Sequence, residues 1–441
     1  MEQRRKNLTQ LFIPICLETL LYMLSGMVDT LMLSSVNDQA VGAVGTANTY
    51  IGIFIIMFSV ISSGMVAVMT QNIGAGRPGV AYQARQLGLA FNAVLGVIMS
   101  LFLSLGAGTI LSGVGVADAL MQPAKTYLQI VGGFCILNAL IPICSSYLRA
   151  FGFSKEPLYA SIIGNVINFC LNAFFLFVLH KGVAGVATAT VISRIINLVI
   201  VVLLGAVLVK AKQHPERESN RAVMGQIIRI GLPSACETAI YNVSMTLVIR
   251  FLNQMDAQGL NVTARSYTMQ ITNFSYCVGV ALAQANAIMT GWHIGAKEYD
   301  ACDRGTKKAA VIGVIVAVIL ETVFTLCSGW IMQLFSKDPQ MVSLVGKLLA
   351  IDIVLEIGRV TNLVYGQALK TSGDAVFPVV MGACFMILCS VGGTYLFGIR
   401  LGLLAVGAYI GMTGDECVRA VGMYLRWKSG KWKEKGLVKS R

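Results

Sequence analysis

The chain has little charge. Asp, Glu, Lys and Arg make up 12% of its 441 residues, about half the share of a soluble domain. A chain so depleted cannot hide its apolar surface in one water-soluble core. Histidine is scarce too: only His180, His214 and His293 occur. None converges with cysteines at metal-ligand spacing, which argues against a zinc site. The eleven cysteines form no C-x-x-C pair, and most, such as Cys16, Cys135, Cys144 and Cys170, fall inside apolar runs. They read as small packing residues. There is no H-E-x-x-H, no reactive Ser-His arrangement and no pair of aspartates in a protease setting. These absences set aside an intramembrane enzyme. A primary pump would need a G-x-x-x-x-G-K-[ST] loop, and none is present.

What is present is a succession of long runs of Leu, Ile, Val, Ala and Gly. A helix crosses the hydrocarbon in about 20 mostly apolar residues, whereas a membrane barrel would alternate apolar and polar residues. The runs predict about twelve transmembrane helices, so the expected fold is an all-α membrane protein. They fall at roughly 8–34, 44–72, 86–114, 125–150, 157–180, 183–209, 223–254, 262–292, 307–336, 341–369, 376–398 and 402–427. The first run follows a basic N-terminus but is too long for a signal peptide and lacks an A-x-A site, so it reads as a retained helix.

The formal net charge of +13 does not gather into one nucleic-acid-binding face, so no nucleic acid partner is expected. Lys and Arg stay on the cytoplasmic side of a membrane. With the N-terminus inside, inside loops carry Arg77, Arg85, Arg149, Lys155, Lys210, Lys212, Arg217, Arg221, Lys297, Arg304, Lys307, Lys308 and Lys370. Outside loops carry Lys125, Lys181, Arg265, Lys337 and Arg400. This asymmetry predicts two cytoplasmic termini.

The two halves repeat. Ile13–Thr19 (IPICLET) matches Leu232–Thr238 (LPSACET), pairing Glu18 with Glu237. Met69–Gly76 (MTQNIGAG) matches Met289–Lys297 (MTGWHIGAK), and Leu148–Pro157 (LRAFGFSKEP) matches Leu369–Pro378 (LKTSGDAVFP). The order is kept at an offset of about 220. Residues 1–210 and 222–441 are therefore expected to be pseudo-symmetric six-helix lobes, joined by the polar linker 211–221. Parallel repeats support alternating access around a midplane site.

Acids at membrane depth are costly, on the order of 3 kcal/mol, and are candidates for function. Glu18 and Asp29 lie three turns apart on nearly one face of the first helix. Asn168 and Asn172 share a face one turn apart. In the second half stand Glu237, the run Asp352, Glu356 and Arg359 on one helix face, and the trio Asp415, Glu416 and Arg419. An internal Glu356–Arg359 ion pair is expected. Methionines and aromatics such as Met23, Met57, Tyr241 and Tyr267 could line an adaptable cavity.

Several of these segments together resemble the multidrug and toxic compound extrusion (MATE) family of the MOP superfamily. They are Pro14, Glu18 and Val28-Asp29-Thr30; Gln71 with Gly74-Ala75-Gly76; Leu148-Arg149 with Gly152 and Pro157; and Asn165, Asn168, Leu171 and Asn172. Further along come Val183–Ala187 with Ala189-Thr190, Gly231-Leu232-Pro233, and Leu369-Lys370 with Gly373-Asp374. Glu356-Ile357-Gly358-Arg359 with Asn362 resembles a variant found in one branch. The resemblance implies a bacterial inner-membrane antiporter, not an enzyme. It would export organic, cationic amphipathic compounds in exchange for H⁺ or Na⁺, with no other cofactor. Its partners would be the small organic substrate and membrane lipid, and it would act as a monomer. It implies that Asp29 is the main coupling residue, with Asn168, Asn172 and Thr190 beside it. Asn172 stands where the family usually has Asp, which removes one titratable group. A flippase for a lipid-linked precursor, from the same superfamily, is the alternative.

Overall fold

The computed structural model describes residues 6–34, 38–113, 116, 118–210, 215–256, 258–333 and 335–438. His214 and the start of the expected linker, 211–214, lie outside these. Among the described residues there is no strand. The helices are α1 (Leu8–Ser34), α2 (Asp38–Gly74), α3 (Pro78–Gly113), α4 (Asp118–Gly132), α5 (Ile136–Ala150), α6 (Lys155–Val178) and α7 (Gly182–Leu208). They continue as α8 (Asn220–Met255), α9 (Leu260–Gly295), α10 (Tyr299–Leu326), the short α11 (Ser328–Met332), α12 (Pro339–Ser372), α13 (Val376–Arg400) and α14 (Leu404–Lys428).

Seven helices among the described residues are long and apolar enough to cross a membrane. The count is eight if α4 and α5, bent by 43° at their junction, form one span. The chain is thus an all-helical, multi-pass membrane protein. The remaining long helices, α8, α9, α12 and α14, carry charged or uncharged polar residues that dilute their hydropathy. On α12 the charged ones are Lys347, Asp352, Glu356, Arg359 and Lys370.

The chain divides into two compact units, Met1–Leu232 and Pro233–Arg441. The first has a core of small and branched residues, including Ala43, Ala47, Leu103, Ala107, Leu128 and Ala139. The second is built around Val248, Ala264, Val345, Leu348, Leu355, Ala405 and Ala408. Small residues let membrane helices approach closely, because packing rather than hydrophobic exclusion holds them together. At Gly358 on α12 an added Cβ would lie 2.8 Å from the backbone nitrogen of Cys417 on α14.

The sequence repeat is also a repeat of turns. Gly152 follows α5 at φ 86° and Gly373 follows α12 at φ 99°, so both arms leave through a left-handed residue that glycine adopts without a Cβ penalty. At the other repeated turn Gly76 (φ 73°) is matched by Lys297 (φ 60°). Three helices relax into π-helical turns: α4 over Leu128–Gly132, α6 over Phe174–Val178, and α13 over Met386–Val391 and Thr394–Arg400. Such turns recur at functional sites. Those of α6 and α13 adjoin or contain polar residues described below.

Candidate functional site

In the first unit, Asp29 on α1 accepts a hydrogen bond from the Asn172 side-chain amide at 2.7 Å. The same amide reaches Asn168 Oδ1 at 3.2 Å. Asn168 and Asn172 sit one turn apart on α6 and point inward just before its π-helical turn, so the amide pair is fixed by helix geometry. Asn172 is fully buried and its side-chain oxygen has no partner. Thr190 on α7 donates to the carbonyl of Val186 on its own helix at 2.9 Å. Among the described residues no hydrogen bond joins it to Asp29. Arg194, one turn further along α7, acts electrostatically on Asp29 without closing an ion pair. Reasoning from α1 alone missed this cation, because its approach depends on how α7 packs.

Glu18 has a different environment. Arg149 at the end of α5 donates to its carboxylate at 2.6 Å, and Ser161 lies 3.4 Å away. Its repeat mate Glu237 is held in the same way by Lys370 at 2.6 Å. Both acids are ion-paired within their own units.

In the second unit α12 and α14 carry a continuous charge network. Glu356 and Arg359 form the expected ion pair, and Arg359 Nε lies 3.8 Å from Glu416. Glu416 also meets Arg419 at 2.9 Å and accepts from Asn362 at 3.0 Å. Arg419 holds Asp415 at 2.8 Å, and Ser390, in the π-helical stretch of α13, donates to Asp415 at 2.9 Å.

Two further carboxylates converge on Glu356. Glu321 on α10 joins Asp352 and Glu356 on α12, with one oxygen from each within 4.8 Å of the others. All three are buried. Both oxygens of Glu321, one of Asp352 and one of Glu356 have no hydrogen-bond partner. Arg359 is the one cation of the network that acts on all three. Buried carboxylates in excess of cations need protons or a bound cation for charge balance, and all-oxygen ligands suit hard cations. Glu321 was missed in the sequence, although a lone acid in an apolar run is a sufficient signal.

Beside this cluster lies a cavity of about 200 Å³ lined by residues of α8, α9, α12, α13 and α14, among them Tyr241, Tyr276, Tyr409, Asp352, Arg359 and Arg265. Arg265, expected in an outside loop, is instead buried within α9. Helix α9 begins at Leu260 and so extends past it. Of the other residues proposed for a cavity, Tyr241 lines this one, Tyr267 packs against Phe335 with ring centres 5.4 Å apart, and Met57 is exposed.

An all-helical membrane protein with ionisable residues buried in each unit has the makings of a transporter. Comparison with known proteins agrees. The family profile described as MatE matches the chain twice, over residues 14–174 and 233–396. An uncharacterised transporter of Bacillus subtilis, YisQ, is 34% identical, with 96% of this chain and 94% of that one aligned. A probable multidrug resistance protein, NorM, of Thermotoga maritima is 23% identical over 98% and 94% of the two chains. A solved multidrug resistance MATE family transporter of the MOP superfamily, in its outward-facing conformation, superposes with a TM-score of 0.84 at 18% identity, covering 98% of this chain and 96% of that one. The chain belongs to the MATE family of transporters.

Proposed function

We propose that this protein is a cation-coupled antiporter of the bacterial inner membrane that exports small organic compounds in exchange for H⁺ or Na⁺. Twelve spans follow if α8, α9, α12 and α14 join the eight apolar ones, giving six to each half and cytoplasmic termini. The observation that carries the reading is the contrast within α1. Glu18 is neutralised by Arg149, while Asp29 is held by the neutral amide of Asn172. A carboxylate with an amide partner is free to exchange a proton or cation, whereas one fixed by a guanidinium is held ionised. Loading it removes a charge and biases the lobe between two states, as alternating access requires. The Glu321–Asp352–Glu356 cluster offers the second unit a cation locus of its own.

A flippase for a lipid-linked precursor would want a broad basic cavity. The mixture of acids and arginines in the second unit does not favour one. The experiment is transport of a fluorescent organic cation by reconstituted protein, with proton and sodium gradients imposed separately. Acceleration by one gradient supports antiport, and indifference to both refutes it.

A further inference from the structure

Two side chains of opposite charge, Arg265 and Asp352, line the cavity in the second unit and close no ion pair among the described residues. Most of the charges lining it are consumed locally: Arg359 by Glu356, and Asp415 and Glu416 by Arg419. Arg265 is not. It is 6% exposed, its one hydrogen bond among the described residues goes to the Met245 thioether at 3.7 Å, and its Nε has no partner. No carboxylate among the described residues forms an ion pair with it. Asp352, 1% exposed, lines the same cavity from the edge of the acidic cluster, where Arg359 acts on it without an ion pair, and one of its oxygens has no hydrogen-bond partner. Tyr409 lines the same cavity, in electrostatic reach of Arg265, Asp352 and Arg359 alike. A buried charge without a partner is costly to retain, so two of opposite sign facing one cavity are matched to a ligand that brings both complements. The remaining walls are Tyr241, Tyr276, Met269 and Met412, and the volume of about 200 Å³ admits a single ring with short substituents. We propose that this cavity binds a small aromatic zwitterion. Its carboxylate pairs with the Arg265 guanidinium, its ammonium with Asp352, and its ring packs on the tyrosines and methionines.

The inference rests on the reading of the chain as an exporter of small organic compounds and narrows their class. It is tested by binding without any gradient, so its failure is separable from failure of ion coupling. Protein in lipid nanodiscs is assayed for tritiated phenylalanine binding, displaced by phenylalanine, phenethylamine (no carboxylate) or 3-phenylpropanoate (no ammonium). Phenylalanine should displace about ten-fold more strongly than either analogue, a charge-assisted contact at each end. Arg265→Met should abolish its advantage over phenethylamine, and Asp352→Asn its advantage over 3-phenylpropanoate. Arg265→Lys, which keeps the cation without the guanidinium fork, should retain part of the preference and controls for folding. No displaceable phenylalanine binding, an equal or stronger phenethylamine affinity in the native protein, or an unchanged preference in Arg265→Met overturns the proposal.

Discussion

Arg149 and Glu18 form an ion pair of 2.6 Å that ties the end of α5 to α1. Its counterpart in the other half of the chain is Lys370 with Glu237, also at 2.6 Å. The four residues occupy matching places in the repeated segments IPICLET/LPSACET and LRAFG/LKTSG. Each half therefore fastens one helix to the end of another with the same charges, α1 to α5 and α8 to α12, and the following glycine, Gly152 or Gly373, turns the chain away in the left-handed conformation. That duplication gives Glu18 and Glu237 the same ion-paired setting in their two units.

Removing one partner of either clamp leaves the other charge largely buried. Glu18→Gln should cost about 2 kcal/mol, between the values for an exposed and a fully buried pair, and lower the melting temperature in detergent by about 2–4 °C. The charge swap Glu18→Arg with Arg149→Glu should restore most of it. Thermal denaturation followed by size exclusion reads both. Equal stability of the single variant and the native protein would show that the clamp contributes nothing.

Close approach of α12 and α14 at Gly358 brings the charge network together. Gly358→Ala places a methyl group against the Cys417 backbone, an overpacking that should cost about 1–3 kcal/mol. The same melting assay should show the loss, whereas Gly414→Ala, with open space around its Cβ position, should be neutral or stabilising.

With cytoplasmic termini, single cysteines placed at Lys435 should resist a membrane-impermeant maleimide applied to intact cells. Those at Asp256 and Lys337 should react. The reverse labelling pattern would invert the topology.

How much of this was legible in the sequence depends on the kind of contact. The all-helical membrane fold follows from run length and hydropathy, and the duplicated turns are visible because glycine and proline mark them. The Asn168–Asn172 pair is a spacing within one helix, and the structure joins it to Asp29. Contacts between distant helices left no such trace. Arg194 approaches Asp29 through the packing of α7 on α1, and Glu321 meets Asp352 and Glu356 across two helices. Arg265 reads as a loop residue because one charge near the end of an apolar run marks a boundary as readily as a buried site.

Asp29 carries the central claim, and its isosteric variant is the most direct test. Asp29→Asn keeps the hydrogen bonding to Asn172 feasible while removing the exchangeable charge. It should fold and insert normally yet lose gradient-driven efflux of a fluorescent cation from proteoliposomes, by on the order of a hundred-fold or more if coupling is lost outright. Thr190→Ala, whose hydroxyl bonds only within α7 among the described residues, should fall by about two-fold at most. Efflux by Asp29→Asn at the native rate, with the native dependence on the imposed ion gradient, would contradict the assignment and move the search to the Glu321 cluster.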